Sequence, residues 1–157
     1  MAATPAIRAA EAAGIAIVAH EYDVDHTVSD YGVAVARAIG QDPERVFKTL
    51  VARVDGGRLV VGVVPVESRL DLKALAAACG GRRAEMADPA AAERSTGYVV
   101  GGISPLGQRK RLPTVVDETV ILFDTVFVSG GRRGLQIEIA PNDLARLTGA
   151  TIAAIAR

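Results

Sequence analysis

Lys48 stands out among the residues that could perform chemistry. It lies in the run VFKTLVARV at residues 46–54, whose β-branched and aromatic composition predicts a strand. Side chains alternate between the faces of a strand, so Lys48 shares the more apolar face with Leu50, Ala52 and Val54. Such a lysine either lies at a rim with its ammonium group in water or points into a cavity. In a cavity, its charge could stabilise a developing oxyanion or bind a phosphate.

Two glycine-rich segments could bring the backbone close to a ligand. They are GGISPLG at residues 101–107 and SGGRRG at residues 129–134. Glycine allows close approach and lets N–H groups point at a bound group. Basic residues accompany both segments: Arg109, Lys110, Arg111, Arg132 and Arg133. This pattern suits a phosphodiester or a ribose end, but ordinary turns with solvated charges fit it equally well.

Other residue types that carry chemistry are scarce. The two histidines, His20 and His26, and the single cysteine, Cys79, form no metal-binding spacing, so a metal site is not predicted. Neither glycine motif of the common nucleotide-binding folds occurs. Cys79 ends an apolar helix, which favours a packed thiol. The tyrosines lie near predicted loops or strand ends, where they could line a pocket or pack in the core: Tyr22, Tyr31 and Tyr98.

The composition excludes several classes of protein. Lys and Arg total 18, as do Asp and Glu, and this balance argues against non-specific coating of nucleic acid. The 157 residues fit one domain over residues 1–157, and a single cysteine cannot form an internal disulfide. The N-terminus lacks the apolar core of a signal peptide, and no apolar run reaches the ~18 residues of a membrane span. We therefore expect a cytoplasmic protein.

Glycine and proline punctuate the chain and predict the short elements that must position these residues. Helices are predicted from Thr4-Pro5 to Gly14, over 30–39 and 71–79, from Asp88-Pro89 to Gly97, and from Ala140-Pro141 to Gly149, with a helical turn at Asp42-Pro43. Strands are predicted at 15–22, 83–86, 125–130, 135–139 and 151–155, and in a hairpin of 46–54 with 58–64 around Asp55-Gly56-Gly57. Residues 98–113 are predicted to be a loop. The mixture predicts an α+β fold with a mixed, largely antiparallel sheet.

Long segments of the chain are similar to one known family. They include TPAIRAAE, VFKTL, LDLKALA, EMADP, ERSTGYVVGGISPLGQRKRLPT and VSGGRRGLQIEI. The chain resembles the YbaK/EbsC family of trans-editing aminoacyl-tRNA deacylases, in the branch that acts on Cys-tRNA(Pro). The resemblance implies that the sheet is curved and barrel-like and that short helices surround it.

The resemblance also implies roles for individual residues. Lys48 corresponds to the essential strand lysine of the family, and the Gly101 N–H is the second candidate catalytic donor. The implied substrate-binding residues are Tyr22, Tyr31, Thr49, Ser129, Gly130 and Gly131. Contacts with tRNA are expected from Arg109, Lys110, Arg111, Arg132 and Arg133. One departure concerns Gln136, because the family often reads GLDIE where this chain reads GLQIE.

The implied activity is removal of cysteine from mischarged Cys-tRNA(Pro), with Cys-tRNA(Cys) as a second potential substrate. The thiol of the substrate would itself attack the ester, so the reaction needs no cofactor, metal or protein nucleophile. The partners implied are the tRNA acceptor end and prolyl-tRNA synthetase in a ternary complex, with the protein a monomer when alone. The alternatives are a deacylase for another small amino acid such as Ala-tRNA(Pro), a non-catalytic module that binds tRNA or a synthetase, and an enzyme acting on a free ester or thioester.

Overall fold

The computed structural model describes residues 3–157 as an α+β fold, as the sequence predicts. The five α-helices are α1 (Pro5–Ala12), α2 (Tyr31–Ala38), α3 (Leu72–Ala78), α4 (Pro89–Thr96) and α5 (Pro141–Thr148). The eight strands are β1 (Val18–Glu21), β2 (Phe47–Val54), β3 (Leu59–Pro65), β4 (Ala84–Met86), β5 (Thr114–Asp117), β6 (Val126–Ser129), β7 (Leu135–Ile139) and β8 (Thr151–Ala153). Short 3₁₀ helices occupy Pro43–Arg45 and Glu118–Leu122.

Side-chain caps mark the predicted starts of α1, α3 and α4, whereas α2 and α5 begin without one. The Thr4 hydroxyl and the Asp71 and Asp88 carboxylates accept hydrogen bonds from backbone N–H groups in the first turns of α1, α3 and α4, at 3.2, 3.0 and 3.3 Å. These bonds satisfy donors that have no partner inside the helix.

A five-stranded mixed sheet carries Lys48. Its strand order is β4-β2-β3-β5-β8, and β2 and β3 form the predicted hairpin. Asp55 and Gly56 in the turn have φ of 51° and 66°, the left-handed conformation that tight hairpins require. The sequence does not predict β5, which pairs in parallel with β3 and β8. Its partners are distant in sequence, so no turn next to β5 signals the pairing.

A separate three-stranded antiparallel sheet has the order β1-β7-β6. It is joined to the larger sheet by a single bridge between Val46 and Phe127. The expectation of one curved, barrel-like sheet is wrong, because neither sheet is closed or strongly curled. Closure of the larger sheet would require its edge strands β4 and β8 to pair, and each is only three residues long.

The main hydrophobic core forms where side chains of the two sheets meet. Phe47, Val51 and Val61 from the larger sheet pack in one buried cluster with Leu135 and Ile137 from the smaller one. This packing brings the start of β2 beside the end of β6 and the start of β7. Within residues 3–157, no helix is long and apolar enough to cross a membrane.

Candidate active site

An apolar cavity of about 320 Å³ lies at the start of β2. Four residues that the sequence predicts for the site line it: Lys48, Thr49, Gly101 and Ser129. Most of the remaining wall is apolar and comes from α2, β2, the β4–α4 segment and residues 100–103. A volume of this size is at the lower end of the range for small-molecule sites, so it suits an amino acid better than a large cofactor.

Lys48 is half-buried in this cavity. Its Nζ donates a long hydrogen bond of 3.5 Å to the Val66 carbonyl. Among residues 3–157, no carboxylate lies within 4.0 Å of this ammonium group. Burial lowers the pKa of Lys48, the nearby Asp30 opposes this change, and Arg69 adds to it. The cation is therefore poorly compensated, so an anionic ligand would stabilise it.

The loop that carries Gly101 is held against the second glycine segment. The Arg133 guanidinium donates to the Val100 carbonyl through Nε at 3.0 Å and Nη2 at 2.7 Å. Gly101 has a φ of 90°, and a Cβ placed on it would lie 2.9 Å from Arg133 Nε. A Cβ on Gly102 would lie 2.8 Å from the backbone of Arg132 and Arg133. The two glycine segments thus touch each other, and a side chain at either glycine would force them apart.

Polar groups form one patch of the cavity wall. Ser129 and Gln136 are cross-strand partners in β6 and β7, and both line the cavity. The Ser129 hydroxyl accepts a hydrogen bond of 3.2 Å from the Gly131 N–H. Thr49 Oγ1 and Gln136 Oε1 are buried without a hydrogen-bond partner in the described part of the chain, and their residues are only 9% and 7% exposed. Buried polar atoms without partners are unfavourable, so a ligand that bonds to them would be favoured.

The tyrosines lie beside the cavity or in the core. The hydroxyls of Tyr22 and Tyr31 are 2.9 Å apart, and burial, with this hydrogen bond, raises the pKa of Tyr31. Neither ring lines the cavity, although Gly32, next to Tyr31, does. Tyr98 is buried and donates a hydrogen bond to the Leu106 carbonyl at 2.6 Å. It therefore packs in the core and does not line the cavity.

Gly130 and Gly131 also lie outside the cavity wall. A Cβ on Gly130 would lie 2.5 Å from the Leu135 side chain, and a Cβ on Gly131 would lie 3.0 Å from Thr4 and Tyr98. These contacts indicate that close packing of the turn requires glycine at both positions. A direct contact of either residue with substrate stays a prediction.

The five basic residues predicted to contact tRNA occupy different places. Arg132 lies 3.8 Å from Glu21 in a salt bridge, and Arg133 holds the Gly101 loop. The backbone N–H groups of Arg109 and Lys110 bond to the last turn of α4, and the Arg111 guanidinium lies against Gly149 after α5. Their contact with tRNA stays a prediction.

Histidine and cysteine side chains are absent from the cavity wall. His20 bonds to Glu138 at 3.1 Å and packs edge-on against Phe127. Cys79 ends α3, where burial raises the pKa of its thiol. Among residues 3–157, no three His, Cys, Asp or Glu side chains are grouped as a metal site would require.

Sequence reasoning did not place Gln136 or the apolar wall in the site. The wall includes Leu50, Met86, Ala92 and Ile103. Only the pairing of β6 with β7 places Gln136 next to Ser129. The substitution of glutamine for the family acid was the one available signal for this position.

Comparisons with known proteins indicate one family. Residues 26–147 match the family described as "Aminoacyl-tRNA editing domain". An Enterococcus faecalis protein named "Putative Cys-tRNA(Pro)/Cys-tRNA(Cys) deacylase EbsC" is 41% identical over 122 residues, which cover 78% of this chain and 74% of that protein. The Escherichia coli K12 protein "Multifunctional Ser/Thr-tRNA deacylase ProXp-y" is 30% identical over 104 residues, which cover 64% of this chain and 62% of that protein.

A solved structure described as "a putative trans-editing enzyme for prolyl tRNA synthetase" superposes with a TM-score of 0.81 at 25% identity, covering 99% of each chain. The family match spans most of the chain and includes Lys48, Gly101, Ser129 and Gln136. The chain therefore belongs to the YbaK/EbsC family of aminoacyl-tRNA editing domains.

Proposed function

We propose that this protein is a trans-editing deacylase that removes cysteine from mischarged Cys-tRNA(Pro). The observation that carries the proposal is the Lys48 ammonium group in an apolar cavity of amino-acid size, whose wall also includes Gly101 and contains no His or Cys. The name of the Enterococcus faecalis relative supports the same substrate. A reaction in which the substrate supplies the nucleophile fits such a wall.

The chemical step is an intramolecular displacement. The cysteinyl sulfur attacks the ester carbonyl carbon, so a C–S bond forms while the C–O bond to the tRNA ribose breaks. The thiol proton ends on the ribose oxygen, and the amino acid leaves as a cyclic thioester that water opens. The protein holds the cysteinyl group in the reactive conformation, which is a positioning role.

Lys48 and Gly101 are the proposed donors to the charge that develops on the carbonyl oxygen. The Gly101 N–H takes part in no loop or turn hydrogen bond within residues 3–157, so it is available to a ligand. Lys48 supplies a desolvated positive charge, which is more effective in an apolar cavity than in water. Both groups act as fixed donors, and neither forms a covalent bond with the substrate.

A second candidate substrate is a hydroxyl amino acid esterified to tRNA. The unpartnered Thr49 Oγ1 and Gln136 Oε1 favour it, because a substrate hydroxyl could hydrogen-bond to them. The name of the Escherichia coli relative also includes Ser/Thr-tRNA. Deacylation of such a substrate requires water as the nucleophile, because the hydroxyl of the substrate attacks an ester less readily than a thiol does.

The test compares deacylation of tRNA(Pro) charged with cysteine, S-methylcysteine, serine or alanine, with and without prolyl-tRNA synthetase. The thiol mechanism predicts fast release of cysteine and background release of S-methylcysteine, which has similar bulk but cannot attack. Equal release of both would exclude the thiol step. Faster release of serine or alanine would replace the substrate assignment, and binding without any release would indicate a non-catalytic module.

A further inference from the structure

A basic surface lies at the opposite end of β2 from Lys48. Arg53, Arg82 and Arg83 line a depression of about 460 Å³, and Arg82 and Arg83 also line a neighbouring depression with Lys73. We call these four residues and the depressions between them the basic groove. None of its residues is among those that the family resemblance links to tRNA.

The positive charges of the basic groove are available to a ligand. Within residues 3–157, none of its four basic side chains forms a salt bridge. Glu85 also lines the larger depression and forms no salt bridge within residues 3–157. The Asp55 carboxylate lies in the same depression, but it accepts the backbone N–H groups of Arg82 and Arg83 at 3.0–3.3 Å. It therefore fixes the backbone of the turn and leaves the exposed guanidinium groups in solvent. Arg53 donates one hydrogen bond of 2.8 Å, to the Gly57 carbonyl.

Strand β4 connects the basic groove directly with the apolar cavity. Met86, at the end of β4, lines the cavity, and Arg83 immediately precedes the strand. Three residues of strand span about 10 Å. Phosphates in a stacked nucleic-acid strand recur about every 3.4 Å along its axis, so this distance corresponds to about three nucleotides.

The register of the larger sheet also links the basic groove with the cavity. Arg53 lies on the same face of β2 as Thr49 and Val51, whereas Lys48 and Leu50 lie on the other face, and the cavity is lined by side chains of both faces. At the cavity mouth, Met86 and Val100 are 48% and 43% exposed and present apolar surface on which a base could pack. The apolar mouth suits the base of the terminal nucleotide, and the unpaired cations beyond it suit the phosphates of the preceding nucleotides.

We propose that the basic groove binds backbone phosphates of the tRNA 3′ end, at a point about three nucleotides beyond the cavity mouth at Met86. The inference rests on the proposed function, because it takes the aminoacyl ester to lie beside Lys48. It adds a surface that positions the RNA, outside the cavity where the ester reacts.

The decisive comparison uses Arg82→Ala/Arg83→Ala and the control Arg37→Ala/Arg146→Ala. The control removes the same charge from exposed arginines on α2 and α5 that line neither the cavity nor the basic groove. Single-turnover deacylation is measured on Cys-tRNA(Pro) and on cysteinyl adenosine, which has no upstream phosphates. Binding of an uncharged oligonucleotide with the tRNA 3′ sequence is measured by fluorescence anisotropy at several salt concentrations.

We expect the groove variant to weaken oligonucleotide binding about tenfold and to lower the slope of log Kd against log salt by about 1.4, since each contact to a single strand contributes about 0.7. Its loss of kcat/KM should be at least fivefold larger on Cys-tRNA(Pro) than on cysteinyl adenosine. Arg82→Lys/Arg83→Lys should retain most of the salt slope, because it keeps the charge.

Equal behaviour of the groove variant and the control would overturn the proposal, as would an equal loss on both substrates. A defect seen only when prolyl-tRNA synthetase is present would also overturn it, because the surface would then contact the synthetase. The oligonucleotide measurement needs no catalysis. It therefore separates failure of the groove from failure of the proposed deacylase activity.

Discussion

The tetrapeptide Gly-Gly-Arg-Arg occurs twice in this chain, at residues 80–83 and at residues 130–133, and the two copies do different things. In the second copy, Arg132 pairs with Glu21 and Arg133 bonds to the Val100 carbonyl. In the first copy, neither guanidinium forms a hydrogen bond or salt bridge within residues 3–157. Identical residues thus stabilise a loop in one place and present charge to solvent in the other.

The difference comes from what holds each turn. In the first copy, Asp55 accepts the N–H groups of Arg82 and Arg83, so the backbone is fixed without help from either side chain. In the second copy, the Arg133 side chain itself makes the stabilising hydrogen bonds, and through them it fixes the Gly101 loop. We infer that the second copy contributes to the rate of the chemical step and the first to RNA affinity. Three predictions test this separation.

The largest effect is expected from Lys48, which belongs to neither copy. Lys48→Ala should lower the single-turnover rate on Cys-tRNA(Pro) by about 10²–10³, the loss typical of one preorganised donor. Its melting temperature should not fall, because burial disfavours the Lys48 charge in the native state. If the variant kept more than a tenth of the activity, stabilisation of the developing charge would have to be assigned to the arginines of the two Gly-Gly-Arg-Arg copies or to the Gly101 loop.

An intermediate effect is expected from Arg133. Arg133→Ala removes both hydrogen bonds to the Val100 carbonyl, so the Gly101 donor should become less well placed and the rate should fall by about tenfold. Arg133→Lys should restore little, because an ammonium group cannot reproduce the two-pronged contact. The bonds to Val100 offer an alternative to the tRNA contact that the family resemblance predicts for Arg133. If they are its role, the salt slope of RNA binding should stay close to that of the unmodified protein, in contrast to Arg82→Ala/Arg83→Ala.

The Gly101 loop offers an independent control for this prediction. Gly101→Ala should cause a similar loss of rate, since it strains a φ of 90° and crowds Arg133. Gly14→Ala strains a φ of 68° in open space after α1 and should leave the rate unchanged. A variant of Arg133 that changed the salt slope as strongly as the groove variant would remove the distinction between the two copies.

Sequence reasoning succeeded where the signal is local. Asp55-Gly56 predicts the β2–β3 hairpin because positive φ is a property of the turn itself, and Asp71 and Asp88 predict helix starts for a similarly local reason. Strand β5 was missed, and the barrel-like sheet was wrong, because both depend on pairing between distant strands.

The same limit applies to the candidate site. Strand alternation identified Lys48 as unusual, and the family resemblance added Thr49, Gly101 and Ser129, all of which line the cavity. Gln136 joins them only through the β6–β7 register. The two Gly-Gly-Arg-Arg copies are indistinguishable in sequence, since the partners that separate them, Asp55 and the Val100 carbonyl, are set by tertiary contacts.

The smallest effect is expected from Asp55→Asn, which removes a negative charge from the basic groove. RNA affinity should rise about twofold, because one phosphate repulsion is lost while a left-handed φ of 51° suits asparagine as well as aspartate. The backbone N–H groups of Arg83 and Arg82 lower the pKa of the Asp55 carboxyl in the folded protein. The charged carboxylate therefore stabilises the fold above its unfolded pKa of about 3.9, and this contribution is lost as pH falls through the lower folded value.

Thermal unfolding of the two proteins from pH 7 down to pH 2 checks the sign of this effect. Asp55→Asn should be slightly less stable than the unmodified protein at pH 7, and the difference should close as pH falls toward 2. A difference that grew with acid would show that Asp55 is not the group that holds the first copy. The availability of Arg82 and Arg83 to RNA would then need another cause.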